Sequence, residues 1–464
     1  MKKNWLKWCL APIIITPTMV LPMASCSLVN NLIKRARQID GTDWIGRSTG
    51  MFENEDDYQV NEQDKTVTYW NMDELKAHDL VVPNYVLWKG EKYKVLLDHS
   101  AFKNCGNLIS GTIELNDFCT SIPNSFFKND NKITTVILHN YPEEIGQFAF
   151  LNCSALENIF VRNGSKLDPY WALKTKAIKA SAFDSCSLSG KLLLGPELTE
   201  LGPRAFINCW RLTNVDLSLA TSLTEIGESA FASCGELEQV TLSTGLNYEY
   251  WFTPDPTVKG FIHDSAFANC FSLKTVILPE QDMTLHLGNY VFSQCDSFRG
   301  FTYRGLPTPL RLTIAHAGRG CFANCISLEK KDYLNIFYDY IESAYLPSVF
   351  EGCAFTSWKF DPNLVDSLGD YAFAFNQNLT LLDFTSISLG AHVPDYWNWE
   401  WLNVDPVEDV FAYGNKFGVI KVRSGFVGSS TFSEWVNWFE NQGLTFKPTD
   451  YTTPSLDNWS FSEV

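Results

Sequence analysis

The feature that most constrains this chain is a short phrase, Phe-x-x-Cys, that returns along most of its length. Nine copies keep both residues: Phe102/Cys105, Phe150/Cys153, Phe183/Cys186, Phe206/Cys209, Phe231/Cys234, Phe267/Cys270, Phe292/Cys295, Phe322/Cys325 and Phe350/Cys353. Three more keep the phenylalanine and change the thiol: Phe127 with Asp130, Phe373 with Asn376, and Phe411 with Gly414. Successive phenylalanines are separated by 25, 23, 33, 23, 25, 36, 25, 30, 28, 23 and 38 residues. A short base period carrying occasional insertions predicts a solenoid, because one such unit is too small to bury its own apolar face and must stack on its neighbours.

Each unit continues in register, with apolar residues three, six and eight positions after the Cys. The clearest sets are Leu212, Val215, Leu217; Leu237, Val240, Leu242; Leu273, Val276, Leu278; Leu379, Leu382, Phe384; and Phe417, Ile420, Val422. The last two positions alternate with polar ones, so each unit is expected to carry one short strand with one face inward. Stacked copies then form a parallel ladder with neighbours about 4.8 Å apart. Ahead of the Phe several units carry Ile145-Gly146, Leu201-Gly202, Ile226-Gly227, Leu287-Gly288 or Leu368-Gly369, where glycine is expected to permit a tight turn. The fold class is an α/β-type repeat solenoid of about twelve units, one short parallel strand per unit, with N- and C-terminal caps.

The pattern Ile-Gly-x-x-Ala-Phe-x-x-Cys-x-x-Leu-x-x-Val-x-Leu resembles the BspA-type leucine-rich repeats of bacterial surface proteins, over roughly residues 99–424. Some units depart from it. Lys331 takes an inward position after Leu328, and the first apolar residue after Cys186 and Cys353 shifts to Leu188 and Phe355. The resemblance implies a cell-surface protein and adhesion to host or extracellular-matrix components.

Four segments follow: 1–26, a lipoprotein signal; 27–98, a linker and N-terminal cap; 99–424, the solenoid; and 425–464, a C-terminal cap helix and tail. In the first, Lys2, Lys3 and Lys7 precede an apolar stretch and the small residues Ala24 and Ser25, the order of a signal peptide. Its ending, Met-Ala-Ser-Cys, resembles a bacterial lipobox and is similar to those of wall-less bacteria such as mycoplasmas. This implies lipid attachment at Cys26; the plainer reading is an ordinary cleaved signal that ends near a cysteine. Pro12, Pro17 and Pro22 interrupt the stretch, which argues against a membrane-spanning helix. Beyond it, Leu28, Leu32 and Ile33 share a helical face beside Lys34, Arg35 and Arg37: either a second, basic membrane signal or a solvated linker helix. Near the other end Phe432, Trp435, Trp438 and Phe439 share one helical face with Gly443 as a stop, and the tail from Lys447 onward reads as loosely held.

Composition and charge narrow the function classes. The chain is 45% hydrophobic and carries 36 basic against 53 acidic residues, a net charge of -17. So acidic a surface repels phosphate backbones, so no nucleic-acid partner is expected. His78, His99, His139, His263, His286, His316 and His392 fall in unrelated contexts. Gly41, Gly46, Arg47 and Ser48 have phosphate-loop spacing, but Arg replaces the lysine and no βαβ context surrounds them. Zinc needs paired ligands that converge, whereas a solenoid spreads equivalent cysteines along a line. Disulfides between rungs would hold Cβ atoms beyond the usual separation of about 3.5–4.5 Å. The nine repeat cysteines are therefore expected as buried, inert thiols, with no metal, no cofactor and no enzymatic activity.

Candidate binding residues lie in the insertions. Three of the longest gaps carry Tyr170 and Trp171; Tyr250 and Trp251; and Tyr396, Trp397, Trp399 and Trp401, each beside an acid. Equivalent positions of a solenoid emerge on one side, so these residues form either one aromatic surface for a protein or glycan ligand or local cores under each loop. The expected function is that of a membrane-anchored, adhesin-like binding protein on the extracellular face of the cell membrane. The alternatives are a non-binding structural or immune-decoy coat lipoprotein and, third, an enzyme with its site in the N-terminal segment or an insert.

Overall fold

The computed structural model describes residues 58–69, 77–102, 109–247, 261–303, 312–328, 334–335, 347–360, 369–386, 409–447 and 450–464. Cys26 and the signal, the basic segment after it, the phosphate-loop-like stretch, Cys105 and Lys331 lie outside the described residues.

The strands anticipated after each Cys form parallel ladders. Gly190–Leu193, Leu212–Asp216, Gln239–Thr241, Thr275–Leu278 and Phe301–Tyr303 pair in chain order. Val215 lies opposite Val240, and Val240 opposite Val276, so the residue six after each Cys keeps its place from rung to rung. All three are buried. A second ladder runs through the Ile/Leu-Gly step: Glu144–Ile145, Ala177–Ile178 and Glu200–Leu201 pair in order, and Glu225–Ile226, Phe261–Ile262, Met283–Leu287 and Leu312–Ala317 continue in the same way. Most of these strands have two residues, too few for a period to be visible in sequence.

The glycine of that step serves a different purpose from the one expected. Gly146, Gly202 and Gly227 do not adopt a positive φ; instead a Cβ on Gly202 would stand 2.6 Å from the Ala180 nitrogen, and one on Gly227 2.6 Å from the Gly202 carbonyl carbon. Glycine is required because the backbone of the preceding rung occupies the side-chain position.

The Phe turn holds the rungs together. From Phe102 to Phe411 the twelve rings form one continuous stack, with neighbouring centroids 4.8 to 5.9 Å apart. In eleven consecutive turns, Phe127 to Phe411, the residues two before and two after the ring take a positive φ; Ser229 (φ 53°) and Ser233 (φ 60°) flank Phe231. This backbone alternation directs every second N–H along the solenoid axis. Phe127, Phe150, Phe183 and Phe206 donate to Ala149, Ala182, Ala205 and Ala230 of the next rung, each at 2.7 Å.

The cysteine completes the turn. Each described repeat thiol donates to the carbonyl of the preceding rung's phenylalanine: Cys153 to Phe127 (2.9 Å), Cys186 to Phe150 (3.0 Å), Cys209 to Phe183 (3.1 Å) and Cys234 to Phe206 (3.3 Å), continuing through Cys270, Cys295, Cys325 and Cys353. Asn376 keeps this bond with its amide, 2.8 Å from the Phe350 oxygen. Asp130 does not. It is buried, its Oδ1 accepts from the Lys132 and Ile133 N–H groups, and its Oδ2 has no hydrogen-bond partner. Burial pushes its pKa up to about 7, against the smaller opposing effect of those N–H groups.

Both ends are closed by apolar contacts. At the N-terminus Ala77–Val81 pairs with Ile109–Glu114 and begins the ladder, and buried Asn116 donates to the carbonyls of Pro83 and Val95. At the C-terminus the helix Phe432–Asn441 buries Trp435, Val436, Trp438 and Phe439. Gly443 (φ 91°) ends it, and the Leu444 N–H returns to the Phe439 carbonyl. The tail is not loosely held. Trp459–Glu463 adds a parallel strand beside Gly418–Val422 and buries Trp459 and Phe461.

Two outcomes are expected. Burial holds Cys186, Cys209, Cys234, Cys295, Cys325 and Cys353 well above the ordinary thiol range and Cys270 at about 12. Peptide mapping after a thiol reagent should therefore find these cysteines modified only in denatured protein, and rapid labelling of native protein would remove the ladder. For Asp130, an acid raised on folding has its penalty absent below about pH 4, growing with pH and complete above about 7. Asp130→Asn should then stabilise the protein by on the order of 1–3 kcal/mol at pH 8 and by little at pH 4. Equal gains at both pH values in chemical denaturation would refute the assignment.

Candidate binding surface

The insert residues divide unevenly. Tyr170 is 39% exposed, its N–H held by Asp168 at 2.9 Å, and the other Asp168 oxygen accepts from the Tyr141 hydroxyl at 2.6 Å. Trp171 is the correction: it is 4% exposed, and its ring lies 5.2 Å from Phe183. The chain enters a single 3-10 turn, Trp171–Lys174, that buries Trp171 and Ala172, so this indole extends the core and presents no face to a ligand. Tyr250, Trp251, Tyr396, Trp397, Trp399 and Trp401 lie outside the described residues, as does Cys26.

Exposed apolar side chains occur instead on the Phe turn itself, at positions the repeat otherwise fills with small or polar residues. One column is the residue after each Cys position: Gly106, Asn131, Ser154, Ser187, Trp210, Gly235, Phe271, Asp296, Ile326, Ala354, Gln377 and Asn415. Trp210 is 51% and Phe271 48% exposed, and Ile326 is exposed as well. The left-handed positions supply a second group. Tyr290, Phe375 and Tyr413 hold a positive φ, a conformation that disfavours bulky residues, and all three are exposed. Phe375 and Tyr413 stack on each other at 4.9 Å. Trp210, Phe271 and Ile326 were legible in the aligned units: a column of Ser, Gly, Asp and Asn interrupted by Trp, Phe and Ile marks them.

A charged network lies on the outer side of the N-terminal ladder. Arg162 makes two hydrogen bonds to Glu114, at 2.8 and 2.9 Å; His139 Nε2 is 2.6 Å from Glu114 and its Nδ1 bonds Asp117. Burial pulls the His139 pKa down, but the bonds and charges of Glu114 and Asp117 outweigh it and hold the ring above its ordinary value. Glu114 and Asp117 thus hold the two nitrogens of the His139 ring while Arg162 holds Glu114, an arrangement that ties neighbouring strands together. Among the described residues no three His, Cys, Asp or Glu side chains gather as a metal would require.

Comparisons with known proteins agree with the repeat. The family model for the BspA type Leucine rich repeat region matches residues 95–171, 169–253 and 310–390, in six copies. A search of curated proteins finds no match. Among solved structures the chain is similar to a leucine-rich repeat protein from Bacteroides ovatus, with 16% identity over 88% of this chain and 98% of that one at a TM-score of 0.38. It is also similar to a leucine rich cell surface protein from Faecalibacterium prausnitzii, with 18% identity over 74% and 94% at 0.37. A third similarity is to the pneumococcal vaccine antigen PcpA, with 13% identity over 88% and 97% at 0.40. With the family's segments covering just over half of its length, and the Phe, Cys and strand positions of each unit stacked in register, the chain belongs to the BspA-type leucine-rich repeat family.

Proposed function

We propose that this protein is a non-catalytic binding protein of the adhesin type, held by a lipid on Cys26 at the extracellular face of the cell membrane and presenting its Phe-turn surface to a host or extracellular-matrix protein or glycan. The observation that carries this reading is the set of large apolar side chains held in solvent at repeated positions: Trp210, Phe271, Tyr290, Ile326, Phe375 and Tyr413. Such residues gain free energy when a partner covers them, and a continuous buried spine beneath keeps them in place before a partner arrives. Family membership supports a surface setting, and the run of Ala24, Ser25 and Cys26 after a basic, apolar leader supports the anchor. Tyr170, Tyr250, Trp251, Tyr396, Trp397, Trp399 and Trp401 are additional contact residues in this proposal.

Two measurements test it. Protease added to intact cells should degrade the protein, and Cys26→Ser should end incorporation of labelled fatty acid and release the chain from the membrane fraction. Protection in intact cells, or unchanged fractionation of Cys26→Ser, would sink the anchored surface reading. Purified protein should also bind at least one member of a panel of matrix proteins, glycans and host cells, whereas silence across the panel would favour the inert coat.

A further inference from the structure

On three consecutive rungs, those of Cys209, Cys234 and Cys270, the residue after the Cys is Trp210, Gly235 and Phe271. The two aromatic residues are about half exposed. The glycine between them has no side chain, and a Cβ built on it meets no atom within 4 Å, so the space at the middle rung is open. The buried rings of these rungs are 5.3 and 5.5 Å apart; residues two rungs apart therefore stand on the order of 10 Å apart. The backbones that carry the two aromatic side chains are fixed by the frame. The Glu236 N–H bonds the Trp210 carbonyl at 3.0 Å, and the Ser297 N–H bonds the Phe271 carbonyl at 3.1 Å.

We propose that Trp210, Gly235 and Phe271 form a subsite for one neutral hexopyranose ring of a glycan. This rests on the surface-binding reading above and names the chemistry of one part of it. Three observations select the occupant. Two van der Waals contacts of about 3.5–4.0 Å each leave a gap of about 10 Å underfilled by a flat aromatic side chain; a puckered pyranose is thicker and offers apolar C–H faces to both walls. Hydroxyl groups at its rim meet charged partners: Arg211, whose guanidinium lies 5.7 Å from the Trp210 ring centroid and pairs with Glu157, and the exposed carboxylate of Glu236. Finally, the net charge of -17 opposes sulfated or uronic-acid chains, which leaves neutral sugars.

The test uses the full chain and three probes: chitotriose, N-acetyllactosamine and maltotriose, with heparin as the anionic control. Saturation-transfer NMR should detect contact with the ring protons of at least one neutral probe and none with heparin. Trp210→Ala and Phe271→Ala should each weaken that probe by about tenfold or more, and Leu456→Ala, at an exposed apolar residue of the C-terminal tail, should leave it unchanged. Gly235→Leu fills the space while keeping both walls, and because no atom or positive φ opposes it, its melting curve should match that of the wild type while binding is lost. No transfer from any neutral probe, transfer that survives Gly235→Leu, or binding of heparin alone would overturn the subsite. If cells or matrix proteins bind wild type and Gly235→Leu equally, this subsite falls and the surface reading stands; loss of surface exposure in the protease experiment sinks that reading by itself.

Discussion

Everything else in the solenoid depends on how the Phe turn disposes of its backbone. A turn buried between two others has no water to satisfy its N–H and C=O groups, so each must be paired with the rung before or after. Left-handed residues on either side of the ring achieve this by aiming alternate N–H groups along the axis, at a conformational cost of about 1 kcal/mol each. The phenylalanine carbonyl then accepts twice, from its own turn and from the next rung's thiol. Cysteine suits that place because it is apolar enough to bury and still carries a weak donor. Asn376 meets the same requirement with an amide, which separates the need for a donor from any need for sulfur. Asp130 makes no such bond, since an ionised carboxylate has no donor to offer.

The main ladder and the burial of the thiols were legible in the sequence because each is a position in a repeat seen about a dozen times, and agreement among copies averages out local noise. The cap helix was legible because a ten-residue helix exposes a 3.6-residue period. What escaped notice lacked one of these supports. The second ladder is made mostly of two-residue strands. The glycine before the turn is dictated by the distance to a neighbouring rung, and a single unit's sequence carries no such distance. The final strand, Trp459–Glu463, occurs once and has no sibling to align with, so its buried Trp459 and Phe461 looked like part of a polar tail.

The proposed binding surface was less legible than the frame for a related reason. Locating it in the insertions assumed that extra residues leave the rung and point outward. At Trp171 burying a large indole against Phe183 outweighs exposing it, by an amount on the order of 1.5–3 kcal/mol, and nothing in the sequence of that loop opposes the inward rotamer. Trp210 and Phe271 have no such option. They follow a buried thiol on a turn whose backbone is bonded on both sides, and the inward direction is already filled by the Phe stack.

That difference separates what the array can vary from what it must keep. In a stacked array each rung contacts only its neighbours, so stability is close to a sum of unit and interface contributions. A change at Phe231 or Cys234 removes contacts from two interfaces at once and leaves a carbonyl or a cavity behind. A change at the next residue, Gly235, touches nothing, since no atom lies near the position its side chain would take. One step along the chain thus crosses from a position governed by packing to one free of it, and the step recurs on most described rungs, Ser187, buried and bonded to the Ser154 carbonyl, being an exception. A surface built from such positions can be recast one residue at a time, without refolding the frame that holds it.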